Sequence, residues 1–310
     1  VCLNLFLCLP GLWVPFYNHD ETTNTLYASF VNQGLLGLKD FIGSAYFLTH
    51  YLYILVYRFV APSNFVAMHV IHALWKSLTC LALFWAGKNL DDEKTGLWAA
   101  LFYCVFSTCF MSKDFHSPGA ESLSLLPAAL SAGFVFHGIR WQRKRDFFLA
   151  GCFAGFAYLF KAPMGVTLAA ICLTVWVKGE NSFRYSLFAV LGFLIVFLSP
   201  ICFVWPPQEG LRFFIQKISE TNSNYIQSYH QISFLYLTLK FLIRTTLVFV
   251  ASFGMTVFAL YALRVVFEYK QSYQQYWQKM FFLFVWFLFL LGVVTLGGRM
   301  FYHYFVFLFV

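Results

Sequence analysis

Two adjacent carboxylates, Asp20 and Glu21, directly follow the first long apolar run of the chain. Carboxylates in this position could take a proton from a substrate hydroxyl as a general base, or could coordinate a divalent cation. The alternative is a helix cap, because Asp20 could cap a helix that begins near Glu21 and acids are favoured in a first turn. Residue types and spacing leave both interpretations open.

A further carboxylate, Glu121, lies at the head of a later apolar run, after a short polar segment that contains Asp114 and His116. A charge inside a membrane segment is costly and is commonly functional, although an acid in a first turn also complements the helix dipole. Asp114 and His116 are weaker candidates for the same site. If a metal ion takes part, Asp20 and Glu121 are its candidate ligands.

Basic residues follow two other apolar segments. Lys161 lies where a predicted helix ends before Pro163. Arg299 enters the last apolar run, followed by His303 and Tyr304. Arg299 could hold a phosphate through two N–H donors, Lys161 could add a second positive charge, and His303 and Tyr304 could line the same cavity. The alternatives are a lysine that extends to the membrane surface and a belt of interfacial aromatic residues.

The composition indicates the environment that must position these residues. The chain has 310 residues, of which 60% are hydrophobic and 11% charged. A soluble domain is roughly 45–50% apolar and about 25% charged, so this chain has too much apolar surface for one core in water. The apolar runs are unbroken and longer than the alternating segments, about ten residues each, of a membrane barrel. We therefore predict an all-α polytopic membrane protein.

We expect about ten transmembrane helices, each needing roughly 20 apolar residues. The predicted spans are Val1–Phe16, Phe65–Ala86, Thr95–Met111, Ala120–Gly138, Phe147–Phe160, Met164–Val177, Phe183–Trp205, Phe241–Leu263, Met280–Leu296 and an incomplete one from Phe301. In the first outer loop, Thr22–Leu38 and Tyr46–Phe59 are predicted to form interfacial helices. The last run stops at Val310, so we expect a domain that is truncated at one or both ends.

The orientation follows from the run of basic residues between Arg140 and Arg145, which favours the cytoplasmic side. All four candidate clusters then face the extracytoplasmic side. The net charge of +8 suits anionic membrane lipids. Nucleic acid is excluded as a partner because no basic stripe lies on a soluble face.

The order and spacing of several loose motifs resemble a known family. The motifs are Asp20-Glu21, Leu38–Ser44, Gly87–Ala100, Glu121, Gly151–Pro163 and Gly298–Tyr304. Together they resemble the GT-C membrane glycosyltransferases, in the bacterial branch similar to protein O-mannosyltransferases and the lipid A aminoarabinose transferase. The resemblance covers nearly the whole chain and implies a single transmembrane glycosyltransferase-like domain over residues 1–310.

What the resemblance implies is an enzyme of the cell envelope that transfers a sugar from a polyprenyl-phosphate donor to a hydroxyl of a lipid, glycan or protein acceptor, with inversion. Asp20 would be the general base, and Glu21 would orient the acceptor or help to hold a divalent cation. Glu121 matches the second acid of the family. Lys161 and Arg299 would neutralise the phosphate of the carrier.

One position departs from the family pattern. In the aminoarabinose branch a lysine of the first loop precedes two prolines, whereas Lys39 is followed by Asp-Phe. Lys39 is therefore a weaker candidate.

The alternative from another class is a transporter or flippase of lipid-linked saccharide. Such a protein is expected to place ionisable groups near the middle of the membrane. Only His72 and Lys76 lie there in the predicted spans, whereas nearly all other acids and bases lie at span ends.

Overall fold

All secondary structure in the described part of the chain is helical in the computed structural model. The structure describes residues 1–41, 46–109, 116–177, 182–203 and 274–296, with short pieces between 208 and 216. The helices are α1 (Cys2–Cys8), α2 (His19–Asn32), α3 (Phe47–Tyr57), α4 (Phe65–Leu90), α5 (Glu93–Cys109), α6 (Ala120–Trp141), α7 (Lys144–Phe160), α8 (Val166–Val177), α9 (Ser182–Leu198) and α10 (Gln274–Leu296). The all-α prediction is confirmed over these residues, and the predicted spans Phe241–Leu263 and from Phe301 lie outside them.

Three helical segments of the described residues are long and apolar enough to cross a membrane: Phe65–Leu90, Ala120–Trp141 and Ser182–Cys202. The predicted first span, Val1–Phe16, is instead a seven-residue α-helix followed by a 3-10 helix, Leu9–Trp13. That segment is shorter than the roughly 20 residues that a crossing needs. The total of about ten spans remains a prediction.

The candidate spans expose apolar side chains on their outer faces. On α4 the exposed residues include Leu74, Leu78 and Leu81, which recur every three or four positions along one stripe. On α9, Phe183 and Ile195 are 73% and 61% exposed. Apolar stripes of this kind are unfavourable in water and favourable in contact with lipid. In lipid, the backbone N–H and C=O groups must form their hydrogen bonds within the protein, as they do in a helix.

Helix α6 lies at the centre of the bundle and packs against α4, α7 and α10. Most of its residues are buried, so its faces contact protein rather than lipid. On the far side of α7 lies α9, and the two helices approach closely because small residues meet at their interface. Helices α6 and α7 are also joined near both ends, by Glu121 with Lys161 and by His137 with Asp146.

The two predicted interfacial helices form a pair. Helix α2 covers most of Thr22–Leu38 but starts three residues earlier, and α3 lies within Tyr46–Phe59. They pack against each other, and α3 also contacts α7 and α4. At 11 residues, α3 is too short to be a candidate span. The pair places side chains of α2 and α3 beside the start of α6 and the end of α7.

Candidate active site

Asp20 projects from the first turn of α2, and its neighbour Asn18 caps that helix. The Asn18 side chain accepts a hydrogen bond from the Glu21 backbone N–H at 3.0 Å. Asparagine is among the preferred residues at this position. The interpretation of Asp20 as the cap is therefore wrong, and Asp20 is an exposed residue in the first turn.

A cavity of about 290 Å³ lies where α2, α3, the start of α6 and the end of α7 meet. Its lining residues come from all four segments, and all but one carry a hydrogen-bonding side chain: Asp20, Thr23, Asn24, Tyr27, Tyr46, Thr49, His50, Ala120, Glu121 and Lys161. Asp20, Glu121 and Lys161, three separate candidates in the sequence, share this cavity. We call it the Asp20 cavity.

Glu121 and Lys161 form a buried salt bridge on one wall of the Asp20 cavity. The side chains are only 9% and 5% exposed. The Lys161 ammonium also donates to the Tyr46 hydroxyl at 3.3 Å and lies 4.4 Å from the centre of that ring. Lys161 ends α7 in an extended conformation, before Pro163, so the chain itself turns this side chain out of the helix. The ion pair joins the start of α6 to the end of α7.

Glu21 is placed differently from Asp20. Its side chain is completely buried and is not part of the cavity lining. One carboxylate oxygen lies 2.5 Å from His69 Nε2 on α4, and the other accepts the Tyr17 backbone N–H at 3.0 Å. His69 could not be recognised as a partner from the sequence, because it lies 48 positions from Glu21 and inside an apolar run.

His50 also lines the cavity and was not among the candidates predicted from the sequence. It is 9% exposed and packs against the rings of Tyr27, Phe41 and Tyr46. Its Nδ1 atom has no hydrogen-bond partner among the residues that the structure describes. Burial lowers the pKa of His50 from 6.5 to about 4, so the ring is neutral at neutral pH. The only available sequence signal was a polar residue within an aromatic run.

Residues 46–205, just over half of the chain, match the model of the dolichyl-phosphate-mannose-protein mannosyltransferase family. The chain belongs to this family. It is therefore a membrane glycosyltransferase of the GT-C type, and the family resemblance is confirmed. The matched segment contains Tyr46, His50, Glu121 and Lys161 of the cavity, whereas Asp20 precedes it. No individual curated protein matches the chain significantly.

The remaining candidate residues of this mannosyltransferase-family chain lie elsewhere. Lys39 is exposed on a 3-10 helix, Leu38–Phe41, and does not line the Asp20 cavity. His116 lines a second cavity, described below. Four candidates lie outside the described residues: Asp114, Arg299, His303 and Tyr304.

The second cavity, of about 320 Å³, is lined mainly by the segment before α2 and by α4. Its lining includes Tyr17, His69, His72, Lys76 and His116. His72 hydrogen-bonds Ser122 at 2.8 Å and Lys76 donates to the Ser107 carbonyl at 2.6 Å, so both reach neighbouring helices. Burial, and to a smaller extent the charge of Lys76, lowers the pKa of His116 to about 4.

No cluster of three or more His, Cys, Asp or Glu side chains suited to a metal ion occurs within the ranges that the structure describes. Of the two expected ligands, Glu121 already carries the Lys161 ammonium on its carboxylate. A divalent cation at Asp20 and Glu121 stays a sequence-based expectation.

Proposed function

We propose that this protein transfers a sugar from a polyprenyl-phosphate donor to a hydroxyl acceptor at the extracytoplasmic face of the membrane, with inversion at the sugar carbon. The supporting observation is the Asp20 cavity, in which one exposed carboxylate lies beside a buried Glu121–Lys161 ion pair. The family match supports the glycosyltransferase chemistry. The donor, the stereochemistry and the roles of the residues belong to the proposal.

Asp20 is the general base in this mechanism. The acceptor hydroxyl loses its proton to the Asp20 carboxylate as its oxygen forms a bond to the anomeric carbon. The bond from that carbon to the phosphate oxygen breaks, and its electron pair leaves with the polyprenyl phosphate. A single displacement of this kind inverts the configuration. Positioning of acceptor and donor in one cavity supplies much of the rate.

The lining of the Asp20 cavity suits a ligand rich in hydroxyl groups. Thr23, Asn24 and Thr49 offer small polar groups, and Tyr27 and Tyr46 add aromatic rings with hydroxyls. A pocket of this kind fixes orientation through a few convergent polar groups, while aromatic faces contact the apolar face of a sugar ring. The cavity therefore accommodates the sugar or the acceptor more readily than an isoprenoid tail.

The phosphate of the carrier needs positive charge nearby. The Glu121 carboxylate already balances Lys161, so Lys161 contributes a directed donor more than net charge. In our proposal Arg299, with His303 and Tyr304, supplies the remaining contacts to the departing phosphate. The acceptor is a lipid, a glycan or a protein, and membrane lipids surround the helices.

The second cavity is the observation that favours one alternative function. Helix α4 contributes Lys76 and His72 to its lining. These are the two ionisable residues that the sequence places deep in a predicted span. A transporter or flippase of lipid-linked saccharide would use such groups. The two functions are distinguished by the product, because a flippase moves the donor without forming a glycoside.

Asp20→Asn tests the proposal. The variant is assayed for glycoside formation from polyprenyl-phosphate sugars in detergent, and we expect the rate to fall by about a hundredfold or more, as for loss of a general base. The control is Asp40→Asn, at an exposed carboxylate of the same loop region that lines no described cavity. Undiminished transfer by Asp20→Asn would exclude the mechanism.

A further inference from the structure

Glu21 follows Asp20 in the chain, but its side chain points in a different direction. Consecutive residues on an α-helix point about 100° apart. Asp20 is exposed and lines the Asp20 cavity, whereas Glu21 is 0% exposed and turns toward α4. A substrate or cation in the cavity therefore meets Asp20 and not Glu21.

The hydrogen bonds of His69 define the state of the Glu21–His69 pair. His69 Nδ1 lies 3.3 Å from the Leu12 carbonyl oxygen, which can only accept, so we assign a ring proton to Nδ1. We assign a second proton to the space between His69 Nε2 and Glu21 Oε1, which lie 2.5 Å apart. With one shared proton the pair has no net charge, on whichever atom the proton resides.

The first turn of α2 is held by hydrogen bonds of two of its side chains, Glu21 and Asn18, with three partners outside the turn. Glu21 binds His69 of α4 and the Tyr17 backbone N–H. Asn18 caps the turn and accepts a hydrogen bond from Ser117, at 3.2 Å, in the segment just before α6. Because α6 carries Glu121, these bonds set where Asp20 lies relative to the ion pair.

We propose that Glu21 and His69 are positioning residues, which hold Asp20 at the wall of the cavity without contacting substrate. The inference rests on the proposed function, since it assigns Asp20 the chemistry. It replaces the expected role of Glu21 in orienting the acceptor or holding a cation. Both Glu21 oxygens are already hydrogen-bonded inside the protein, and the side chain has no exposed surface.

Glu21→Gln is the decisive variant. The glutamine oxygen can accept from Tyr17, its N–H can donate to His69 Nε2, and Nδ1–H keeps its bond to Leu12. The pair stays neutral, so the environment of Asp20 is unchanged. We expect kcat per folded enzyme within about threefold of wild type, and an unaltered pH profile, because the geometry on which the rate depends is retained.

Glu21→Ala removes both hydrogen bonds and frees the first turn of α2. We expect kcat to fall by roughly a hundredfold with little change in KM, since a small misplacement of a catalytic group costs about that much. Rates are normalised to the folded fraction from size-exclusion chromatography. The control is Thr22→Ala, at an exposed residue of the same turn that lines neither cavity, and it should retain wild-type kcat.

The outcomes separate this inference from the proposed function. If Glu21→Gln is as inactive as Asp20→Asn, Glu21 takes part in the chemistry and the positioning role is wrong. If Asp20→Asn is fully active, the proposed function fails whatever the Glu21 variants show. Should Glu21→Ala yield no folded protein, His69→Leu removes the same hydrogen bond from the other partner, and its wild-type kcat would overturn the inference.

Discussion

Lys161 and Glu121 carry opposite charges in a site where both side chains are nearly inaccessible to water. Removing two charges from water is costly, and their attraction recovers that cost only with good geometry and further hydrogen bonds. Tyr46 supplies such a bond to Lys161. The pair is thus better explained as a fixed polar wall of the cavity than as a source of stability.

Loss of one member of this pair should be more damaging than loss of both charges. Lys161→Met leaves the Glu121 carboxylate buried without its partner, and we expect the free energy of unfolding to fall by about 3–5 kcal/mol. Denaturant unfolding in detergent measures this change. The double variant Lys161→Met/Glu121→Gln should regain most of the stability but not the activity. A double variant no more stable than Lys161→Met would contradict the argument.

His50 makes stability depend on pH. Its pKa is about 4 in the folded protein and 6.5 as the ordinary value, so between these pH values the unfolded chain binds more protons. Stability should therefore decrease as pH falls from about 6.5 to 4, by up to about 3 kcal/mol. Asp20, Glu121 and Lys161 are ionisable and line the same cavity, so they are present in both proteins as a common background. The measurement is therefore the difference in free energy of unfolding between wild type and His50→Gln across this pH range. An identical slope in both proteins would refute the assignment to His50.

The interface of α7 and α9 supports the helix that carries Lys161 at its end. A Cβ atom added to Gly151 on α7 would come within 1.9 Å of the Ala189 carbonyl oxygen on α9. One added to Gly192 would lie 2.1 Å from the Phe148 carbonyl oxygen. These backbones touch because neither position has a side chain, as in small-residue contacts between membrane helices.

Gly151→Ala should push α7 and α9 apart. We expect a loss of about 2 kcal/mol or more, because backbone must move to admit the methyl group, together with reduced sugar transfer as Lys161 shifts. Thermal unfolding in detergent and the transfer assay check the two effects. Gly37→Ala is the matched control, since its added Cβ would meet only ordinary contacts of 3.5 Å or more. Equal stability of both variants would be evidence against close packing.

The helices were predictable from the sequence where they coincide with apolar runs. The starts of α4 and α6 agree with the predicted segments, and those of α5, α7, α8 and α9 lie within three residues of them. The first segment was not, because Leu9–Trp13 contains Pro10 and Gly11 and forms a 3-10 helix that a hydropathy pattern does not reveal.

The candidate site was predictable only in part. Asp20, Glu121 and Lys161 are charges at the ends of apolar runs, so they stood out, and the structure places them in one cavity. The orientation of Glu21 and the position of His50 depend on contacts between distant helices. Such contacts cannot be read from a single sequence. For this reason Glu21 and Asp20 were both assigned to the substrate site.

Helix α6 relates the two ends of the protein. Ala120 to Arg140 spans about 30 Å at 1.5 Å per residue, which equals the thickness of a hydrocarbon core. Glu121 lies at one end of this helix, and the exposed basic turn containing Arg143 and Lys144 follows the other. The Asp20 cavity and the basic turn are therefore expected at opposite faces of the membrane, with the basic turn in the cytoplasm.

Labelling of single cysteines tests this arrangement. The eight native cysteines are replaced, and His19→Cys or Arg143→Cys is introduced, both at exposed positions. His19 adjoins Asp20, so His19→Cys should react with a membrane-impermeant maleimide on intact cells. Arg143→Cys should react only after permeabilisation, because an impermeant reagent cannot reach the cytoplasmic face. Labelling of both from one side would contradict α6 as a span, whereas the reverse pattern would place the cavity in the cytoplasm and exclude a donor on the outer leaflet.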